Sequence, residues 1–490
     1  MEAPCATPVV VQSVTHQRLL LVIISVAAFM GALDTTIVNI SLPTIADYFQ
    51  TSVSVVSWVS MAYLLTLSSL LIAFGRLADL RGYRKVYLAG FAIFTAGSLL
   101  CGLSVSIGEL IGFRIFQAIG AAMLQAIGGA MITMYLPGEV RGKSLGIMAT
   151  FVSVGVATGP VLGGFLSQYL SWHWIFFINI PVGIIALILG KFIIPRDICT
   201  PSRDERFDAL GAGLLFAALG TLLLVINMCT TLGWTSPPII GCAVTSLVLF
   251  GAFIAWERRC PAPLIDLTFF YKRNYTLANF AALFAMLLVT GTSFIMPFFL
   301  EGLKGLSTSM AGLMLMVPAL ALMVMGPVAG ALSDRIGSRR LCLAAAACYV
   351  ASNLLFMQMT EATGFTFILL TLALNGTAAG LFIPPNFNLI LGLSPRGREG
   401  VVSSIAMTMR NIGSALAVAS YGTIFVIAAF AVAGEGAGLA GITLDQALTG
   451  FHAVFLCGAV IGAAIFVLTL LAREEPKRNA GNKPGAGLQT

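Results

Sequence analysis

The segment GRLADLRGYRK at residues 75–85 occurs a second time in the chain, as GALSDRIGSRR at residues 330–340. The two copies are offset by 255 residues, and five of their eleven positions hold the same residue type. A further match at an offset of 258 residues pairs Pro137, Gly142 and Gly155 with Pro395, Gly400 and Gly413. The chain is therefore composed of two similar halves in parallel orientation, an arrangement typical of membrane transporters.

The composition indicates a membrane protein. Of 490 residues, 58% are hydrophobic and 10% are charged, whereas about a quarter of the residues of a soluble domain are charged. These values exclude a soluble enzyme, a nucleic-acid-binding protein and a disordered chain. We count fourteen apolar runs of the length that crosses a bilayer, which takes about 20 residues, and we predict an all-α polytopic membrane protein. The predicted spans are 19–40, 55–75, 86–105, 108–134, 144–167, 173–194, 208–229, 238–256, 277–300, 310–332, 341–358, 365–391, 402–430 and 451–472.

The span count and the repeat together divide the chain. Six spans form each half, and two additional spans lie between the halves. The two additional spans carry no buried acid or base, so we expect them to pack outside the bundles and to contribute little to proton coupling. The predicted parts are an N-terminal tail (1–18), a six-helix bundle (19–194), a linker with the additional spans (195–276), a second six-helix bundle (277–472) and a C-terminal tail (473–490).

The positive charges predict the orientation. Of 27 Lys and Arg residues, 24 lie in the two tails, in every second loop or at the adjoining span ends. Positive residues are retained on the cytoplasmic side, so both termini are predicted to be cytoplasmic, as an even number of spans requires. The net charge of +7 follows from this distribution, and we expect no nucleic-acid partner.

Asp34 is the only acidic residue deep inside a predicted span. A charge there costs several kcal/mol unless it is paired, hydrated or protonated. A site that opens alternately to each side changes the proton affinity of such a carboxyl, so Asp34 is a candidate proton carrier, and a cationic substrate could compete for it. The alternative is a structural acid that Thr35, Thr36 or Asn39 satisfies on the same helix.

Arg114 is a cation inside the fourth predicted span. It either tunes a nearby protonation event or satisfies carbonyl groups of a neighbouring helix. Gln117 lies on the same face, three residues later, and could line the same polar cavity. Further candidates for the substrate cavity are Asn39, Gln125, Arg410 and Asn411.

Small residues recur at four-residue spacing in the fifth span, at Gly155, Gly159 and Gly163, with Pro160 and Gly164 beside them. Small residues let helices approach closely, and a proline inside a helix favours a kink. This stripe predicts either a close helix contact or a helix that bends when the protein changes conformation.

Five segments in order resemble the major facilitator superfamily, and within it the fourteen-span drug/proton antiporter family. The resemblance extends over nearly the whole chain, although Leu80 follows Asp79 where the family usually has Arg, and His173 stands where many relatives have Arg. The segments are LDTTIVNISLP (33–43), GRLADLRGYRK (75–85), RIFQAIG (114–120), GVATGPVLGG (155–164) and WHWIFFINIP (172–181).

The resemblance implies a major facilitator fold and roles for particular residues. Asp34 and Arg114 are implied in proton coupling, and Asp79 is implied in a cytoplasmic latch between the halves. The residues implied in conformational gating are Gly75, Asp79, Gly82, Arg84, Gly155, Gly159, Pro160, Gly163, Gly164, Asp334, Gly337 and Arg339.

We therefore predict a proton-coupled transporter of the cell membrane that exports lipophilic drugs or toxic compounds by alternating access. The first alternative is a dedicated exporter of one metabolite or siderophore, and a remote one is a non-transporting receptor or channel. We expect no enzyme activity, no metal and no cofactor, and the chain has no GxxxxGK[ST] loop for ATP. Expected partners are protons, a small lipophilic substrate and lipid, with a periplasmic adaptor if the source has two membranes. We expect a functional monomer.

Overall fold

The computed structural model describes residues 11–195, 208–260, 263, 267–393, 399–430 and 443–472. Among these residues, fourteen helical segments are long and apolar enough to cross a bilayer, which confirms the predicted number of spans. The first six consist of α1 (Val14–Tyr48), α2 (Val53–Arg81), α3 (Tyr83–Gly102), α4 (Ile107–Tyr135), α5 (Gly138–Tyr169), and the pair α6 (Trp174–Phe177) and α7 (Asn179–Ile193).

The remaining eight spans follow in the predicted order. A short 3-10 helix (Leu267–Tyr271) precedes α10, and a π-helical turn (Phe298–Leu303) extends it. The bounds are α8 (Ala209–Leu232), α9 (Pro237–Glu257), α10 (Arg273–Pro297), α11 (Thr308–Ile336), α12 (Ser338–Phe356), α13 (Phe365–Gly392), α14 (Glu399–Phe430) and α15 (Leu444–Leu471).

The helices pack in the same way in the two halves. In the first half α1 packs on α5, α2 on α4, and α3 on α4 and α7. The second half repeats this arrangement, since α10 packs on α14, α11 on α13, and α12 on α13 and α15. The halves meet where α5 packs against α11 and α2 against α14. The sequence repeat is therefore a structural repeat.

One glycine alone connects two consecutive helices at each copy of the repeated motif. Gly82 joins α2 to α3 with φ 99°, and Gly337 joins α11 to α12 with φ 91°. A side chain with a Cβ is strained at such a φ, which explains glycine at both positions. We call the face of the molecule that carries Gly82 and Gly337 the motif side, and the opposite face the distal side.

An arginine two residues after each of these glycines ties its half together. Arg84 donates a hydrogen bond to the carbonyl oxygen of Lys191 near the end of α7. Arg339 donates from Nε to the carbonyl oxygen of Thr469 at 3.3 Å, near the end of α15. Both arginines therefore hold the third span of a half against its last span.

The additional helix α8 lies against both halves. Asn227 of α8 donates to Ser57 Oγ at 3.1 Å and accepts from Trp58 Nε1 at 3.0 Å, both on α2. The neighbouring carbonyl of Ile226 accepts from Thr423 of α14 at 2.6 Å. The helix α9 packs on α8. As predicted, the additional pair lies outside the bundles, but α8 covers the seam between α2 and α14.

The prediction that the additional spans carry no buried acid is wrong at one end. Asp208 caps α8 by accepting from the N–H of Gly211 at 2.8 Å, and it is 8% exposed. Glu257, the last residue of α9 and one residue beyond the predicted span, is 4% exposed, so only Asp208 contradicts the prediction. Hydropathy did not reveal these residues, because an acid at a helix end adds little to the average over a span.

Candidate functional site

A buried ion pair lies in the core of the first half. Asp34, in the middle of α1, is 0% exposed, and Arg114, in the first half of α4, is 1% exposed. Arg114 Nη1 lies 2.7 Å from Asp34 Oδ2. The two residues that the sequence singled out for their charge inside a span therefore neutralise each other.

Two amides complete the surroundings of the Asp34 carboxylate. Its Oδ1 accepts a hydrogen bond from Gln117 Nε2 at 2.9 Å and lies 3.3 Å from Asn179 Nδ2 at the start of α7. Gln117 is itself oriented by Ser98 Oγ on α3, at 2.8 Å from Nε2. Three further helices thus position groups around one carboxylate, as a buried charge requires.

The polar neighbours of Asp34 on its own helix bind elsewhere. The hydroxyl of Thr35 donates to the carbonyl of Gly31 at 2.9 Å, and that of Thr36 to the carbonyl of Ala32 at 3.1 Å. Asn39 Oδ1 accepts from Ser60. The alternative that these three side chains satisfy Asp34 locally is therefore wrong.

Arg114 makes contacts that do not depend on Asp34. Its Nε donates to the carbonyl of Val59 on α2 at 3.2 Å, and its Nη1 donates to Gln117 Oε1 at 2.6 Å. The ring of Tyr63 lies 3.9 Å from the guanidinium carbon, which is within the range of a cation–π interaction. Arg114 therefore satisfies a carbonyl of a neighbouring helix, as one interpretation predicted, and its role in tuning protonation stays a prediction.

The small residues of α5 form two contact faces. A Cβ at Gly159 would overlap Thr36 of α1, and a Cβ at Gly155 would lie 2.7 Å from the carbonyl oxygen of Phe29. A Cβ at Gly163 would overlap Ile40 of the same helix. This face of α5 therefore packs directly on the part of α1 that carries Asp34.

The other face of α5 packs on the second half at the distal side. A Cβ at Gly164 would overlap the carbonyl of Thr308, and a Cβ at Gly312 of α11 would overlap the carbonyl of Pro160. Gln168 Oε1 accepts a hydrogen bond from the N–H of Ser309 at 2.9 Å. The predicted stripe is thus a pair of close contacts, one to α1 and one to α11.

A central cavity lies between the halves. Among the predicted cavity residues Asn39 lines it, whereas Gln117 is turned towards Asp34. The lining residues are Thr36, Asn39, Ile40, Val156, Pro160, Val289, Thr292, Ser293, Leu315, Pro318, Ala319, Leu322, Leu372, Asn375, Gly376 and Ala379. Asn375 on α13 and Thr292 on α10 were missed, since a single polar residue in an apolar run does not reveal which face it occupies.

The other predicted cavity residues lie elsewhere. Gln125 of α4 accepts a hydrogen bond from Asn411 of α14 at 3.4 Å, so this pair bridges the halves. Arg410 lines a separate, smaller cavity within the second half, beside Asn386 and Phe382. The residues predicted to form one substrate cavity therefore occupy four places.

The predicted latch at the motif side stays a prediction. The side chains of Asp79 and Asp334 lie outside the described part of the structure. Gly75 lies on α2, with no atom within 4 Å of a Cβ built there. Of the residues implied in gating at this side, Arg84 and Arg339 make the bonds within their own halves described above.

The sequence is similar to those of several bacterial transporters. It is 35% identical to the riboflavin transporter RibZ of Clostridioides difficile, over 83% of this chain and 88% of that protein. It is 32% identical to the multidrug resistance protein Stp of Mycobacterium tuberculosis, over 83% and 76% respectively. The tetracenomycin C resistance and export protein of Streptomyces glaucescens is 30% identical over 82% and 75%.

Solved transporters share the fold. A bacterial homologue of the human lysosomal transporter Spinster, in an inward-facing and occupied conformation, superposes with a TM-score of 0.64 at 18% identity, over 94% of this chain and 97% of that one. The D-xylose–proton symporter gives 0.64 at 13% identity, over 94% and 98%. Residues 24–418 match the Major Facilitator Superfamily. The chain therefore belongs to the Major Facilitator Superfamily and is a polytopic membrane transporter, not an enzyme.

Proposed function

We propose that the protein is a proton-coupled antiporter that exports lipophilic compounds across the cell membrane, with both termini in the cytoplasm. The observation that carries the proposal is the Asp34–Arg114 pair, which is fully buried and whose N–O distance is 2.7 Å. A buried acid that is held by one cation changes its charge only if the pair opens, so protonation and conformation are linked.

The surroundings of Arg114 permit the pair to open. When Asp34 takes up a proton, the guanidinium keeps the carbonyl of Val59, the amide oxygen of Gln117 and the ring of Tyr63 as partners. An uncompensated buried cation would be very unfavourable. These contacts therefore allow Asp34 to alternate between a charged, paired state and a neutral, released state.

The helix contacts of α5 link this change to the other half. A displacement of α1 at Asp34 acts on Gly155 and Gly159, because α5 has no side chain there that could absorb it. The opposite face of α5, at Pro160 and Gly164, touches α11 at the distal side. Close-packed interfaces shift as units rather than deforming continuously. We therefore infer that α5 transmits the proton-dependent change from α1 to its contact with α11 at the distal side.

The direction and substrate class rest on different grounds. The positive loops predict that the motif side faces the cytoplasm, and relatives named for drug resistance and export support outward transport of lipophilic compounds. A dedicated transporter of one metabolite is the second candidate, and the similarity to a riboflavin transporter favours it.

Substrate-induced proton release from purified protein tests the proposal. We expect release from the wild type on addition of a transported compound, no release from Asp34→Asn, and partial release with a shifted pH optimum from Asp34→Glu. The Asn side chain keeps the shape and still accepts a hydrogen bond from Arg114. Asp47→Asn is the matched control, because Asp47 is an exposed carboxylate on the same helix. Proton release and uphill export by Asp34→Asn at the wild-type level would show that Asp34 is structural and not the proton site. No proton release by the wild type with any transported compound would refute the antiporter itself.

A further inference from the structure

Two amide side chains, one from each half, face the central cavity with opposite hydrogen-bonding groups. Asn39 on α1 is 5% exposed, and its Oδ1 accepts from Ser60 Oγ at 2.9 Å. Its Nδ2 donates to no residue that the structure describes. The first half therefore presents an amide donor to the cavity.

The second half presents an acceptor. Asn375 on α13 is 3% exposed, and its Nδ2 lies 3.4 Å from Ser352 Oγ. Its Oδ1 accepts no hydrogen bond from the described residues. The hydroxyl of Thr292, which also lines the cavity, is buried without a partner there. Buried polar groups are nearly always hydrogen-bonded, so the buried Thr292 hydroxyl indicates a ligand with polar atoms. The two amide groups without a described partner can bind the same ligand.

The same cavity offers no charge to a ligand. Its lining contains no Asp, Glu, Lys or Arg, and the nearby Asp34 and Arg114 are fully buried and directed at each other. A charged ligand would lose its hydration here without gaining a counter-ion. The apolar walls, such as Val289, Leu315 and Leu322, favour an uncharged molecule instead.

We propose that this cavity binds an uncharged, planar molecule through a lactam or imide edge. The ligand carbonyl accepts from Asn39 Nδ2, and the adjacent ligand N–H donates to Asn375 Oδ1. This inference rests on the proposed function and names the class of substrate. Because the two amides belong to different halves, a ligand edge bound to both connects the halves. Its binding energy therefore favours the relative position of the halves in which both amides reach the ligand.

Riboflavin is a suitable probe, because it is uncharged, planar and fluorescent and carries an imide edge. Its dissociation constant is measured by fluorescence titration of the purified protein in one buffer of fixed pH, so that no proton gradient is present. We expect Asn39→Ala and Asn375→Ala each to weaken binding by about tenfold, the effect of one lost hydrogen bond of roughly 1.4 kcal/mol. Asn279→Ala is the matched control, since Asn279 is a buried amide on α10 outside the cavity lining.

A comparison of two ligands on the wild-type protein does not depend on the folding of a variant. The compound 3-methylriboflavin has the same ring but no imide N–H. We expect it to bind the wild type about tenfold more weakly than riboflavin, and to bind Asn375→Ala as tightly as riboflavin does. Equal affinity of the two compounds for the wild type, or an undetectable affinity for riboflavin, would overturn the inference.

The outcomes separate this inference from the proposed function. Proton release on addition of the cation ethidium, together with no riboflavin binding, leaves the antiporter and refutes the substrate class. Riboflavin binding that depends on both amides, without proton release at any pH by any compound, leaves the substrate class and refutes proton coupling. Asp34→Asn is expected to bind riboflavin like the wild type, because Asp34 does not line the cavity.

Discussion

The two halves of the molecule have the same packing and different chemistry. A Cβ at Gly155 meets the carbonyl of Phe29, and a Cβ at Gly413 overlaps the carbonyl of Leu283. Phe29 and Leu283 are 254 residues apart, and the same interval leads from Asp34 to Leu288. At the offset of 258 residues seen in the next loop and the fifth span, Leu372 corresponds to Arg114.

Leu288 and Leu372 are both 0% exposed. The second half therefore has the same helix packing, with two buried leucines at the positions that correspond to Asp34 and Arg114. The second half forms its bundle without such a pair, which supports the proposed role of the pair in proton coupling. Replacing a buried ion pair by apolar residues is often neutral or stabilising, which agrees with this view.

The largest expected effect comes from replacing only one member of the ion pair by the leucine that the second half has at the corresponding position. Arg114→Leu leaves Asp34 buried without its cation, and we expect a loss of about 3–5 kcal/mol in the free energy of unfolding. The double variant Asp34→Leu/Arg114→Leu reproduces the apolar pair and should recover most of that loss, without proton coupling. Thermal and denaturant unfolding in detergent measures both. A single variant as stable as the double one would show that the halves do not differ in this way.

The next effect concerns a contact that the two halves share. Gly155→Ala places a methyl group against the backbone of Phe29, and Gly413→Ala places one against the backbone of Leu283. We expect each to lower the free energy of unfolding by about 1–3 kcal/mol, as overpacking does. Gly146→Ala on α5 is the control, because a Cβ there meets no atom within 4 Å. Similar stabilities of all three variants would contradict the close helix contacts.

The comparison also shows what the sequence could predict. The fourteen spans and the repeat were correct, because apolar length and motif offset are properties of the chain itself. Helix ends were less accurate: α1 continues to Tyr48 instead of 40, and α5 begins at Gly138 instead of 144. Hydropathy marks where the chain is apolar, whereas a helix continues past that region into polar surroundings.

The sequence alone could not predict contacts between residues that are far apart along the chain. Asp34 and Arg114 were identified separately by their charge, but the 80 residues between them conceal their contact. Asn179 gave a usable signal, since it is a polar residue inside the sixth predicted span, at the start of α7. Asn39 and Asn375 lie on different halves, and only the way the halves meet brings them to one cavity.

A smaller effect distinguishes two buried tyrosines, one in each half. Tyr63 lies under the Arg114 guanidinium, whereas Tyr349 packs against Phe382 with ring centroids 6.4 Å apart. We expect the step from Phe to Leu to cost about 0.5–2 kcal/mol more at position 63 than at position 349, because only the first removes a cation–π contact. Unfolding of Tyr63→Phe, Tyr63→Leu and the two matching Tyr349 variants measures the difference. An equal cost of the change from Phe to Leu at the two positions would contradict a stabilising contact between the Tyr63 ring and Arg114.

The smallest effect lies at the distal edge of the first half. His173 stacks on Trp172 with ring centroids 3.8 Å apart, and burial lowers the pKa of His173 below its ordinary value of 6.5. The fold therefore favours the neutral ring. The stability from this group is complete above pH 6.5, falls as the unfolded chain protonates below that pH, and becomes constant below the folded pKa.

His173→Phe keeps an aromatic ring and cannot titrate. We expect its midpoint of thermal unfolding to fall less between pH 7 and pH 5 than that of the wild type, by a small amount because the ring is partly exposed. A wild-type protein and a His173→Phe variant with identical pH profiles would contradict a lowered pKa of His173.

The single-residue connections at Gly82 and Gly337 also bear on how the protein is made. Among the fourteen described spans, α3 and α12 are the least apolar, and each directly follows one of these glycines. A one-residue link gives the growing chain no room to hold the second helix outside the bilayer while the first one enters. We therefore expect each weakly apolar helix to enter the membrane as the second arm of a hairpin whose more apolar first arm, α2 or α11, supplies the driving force.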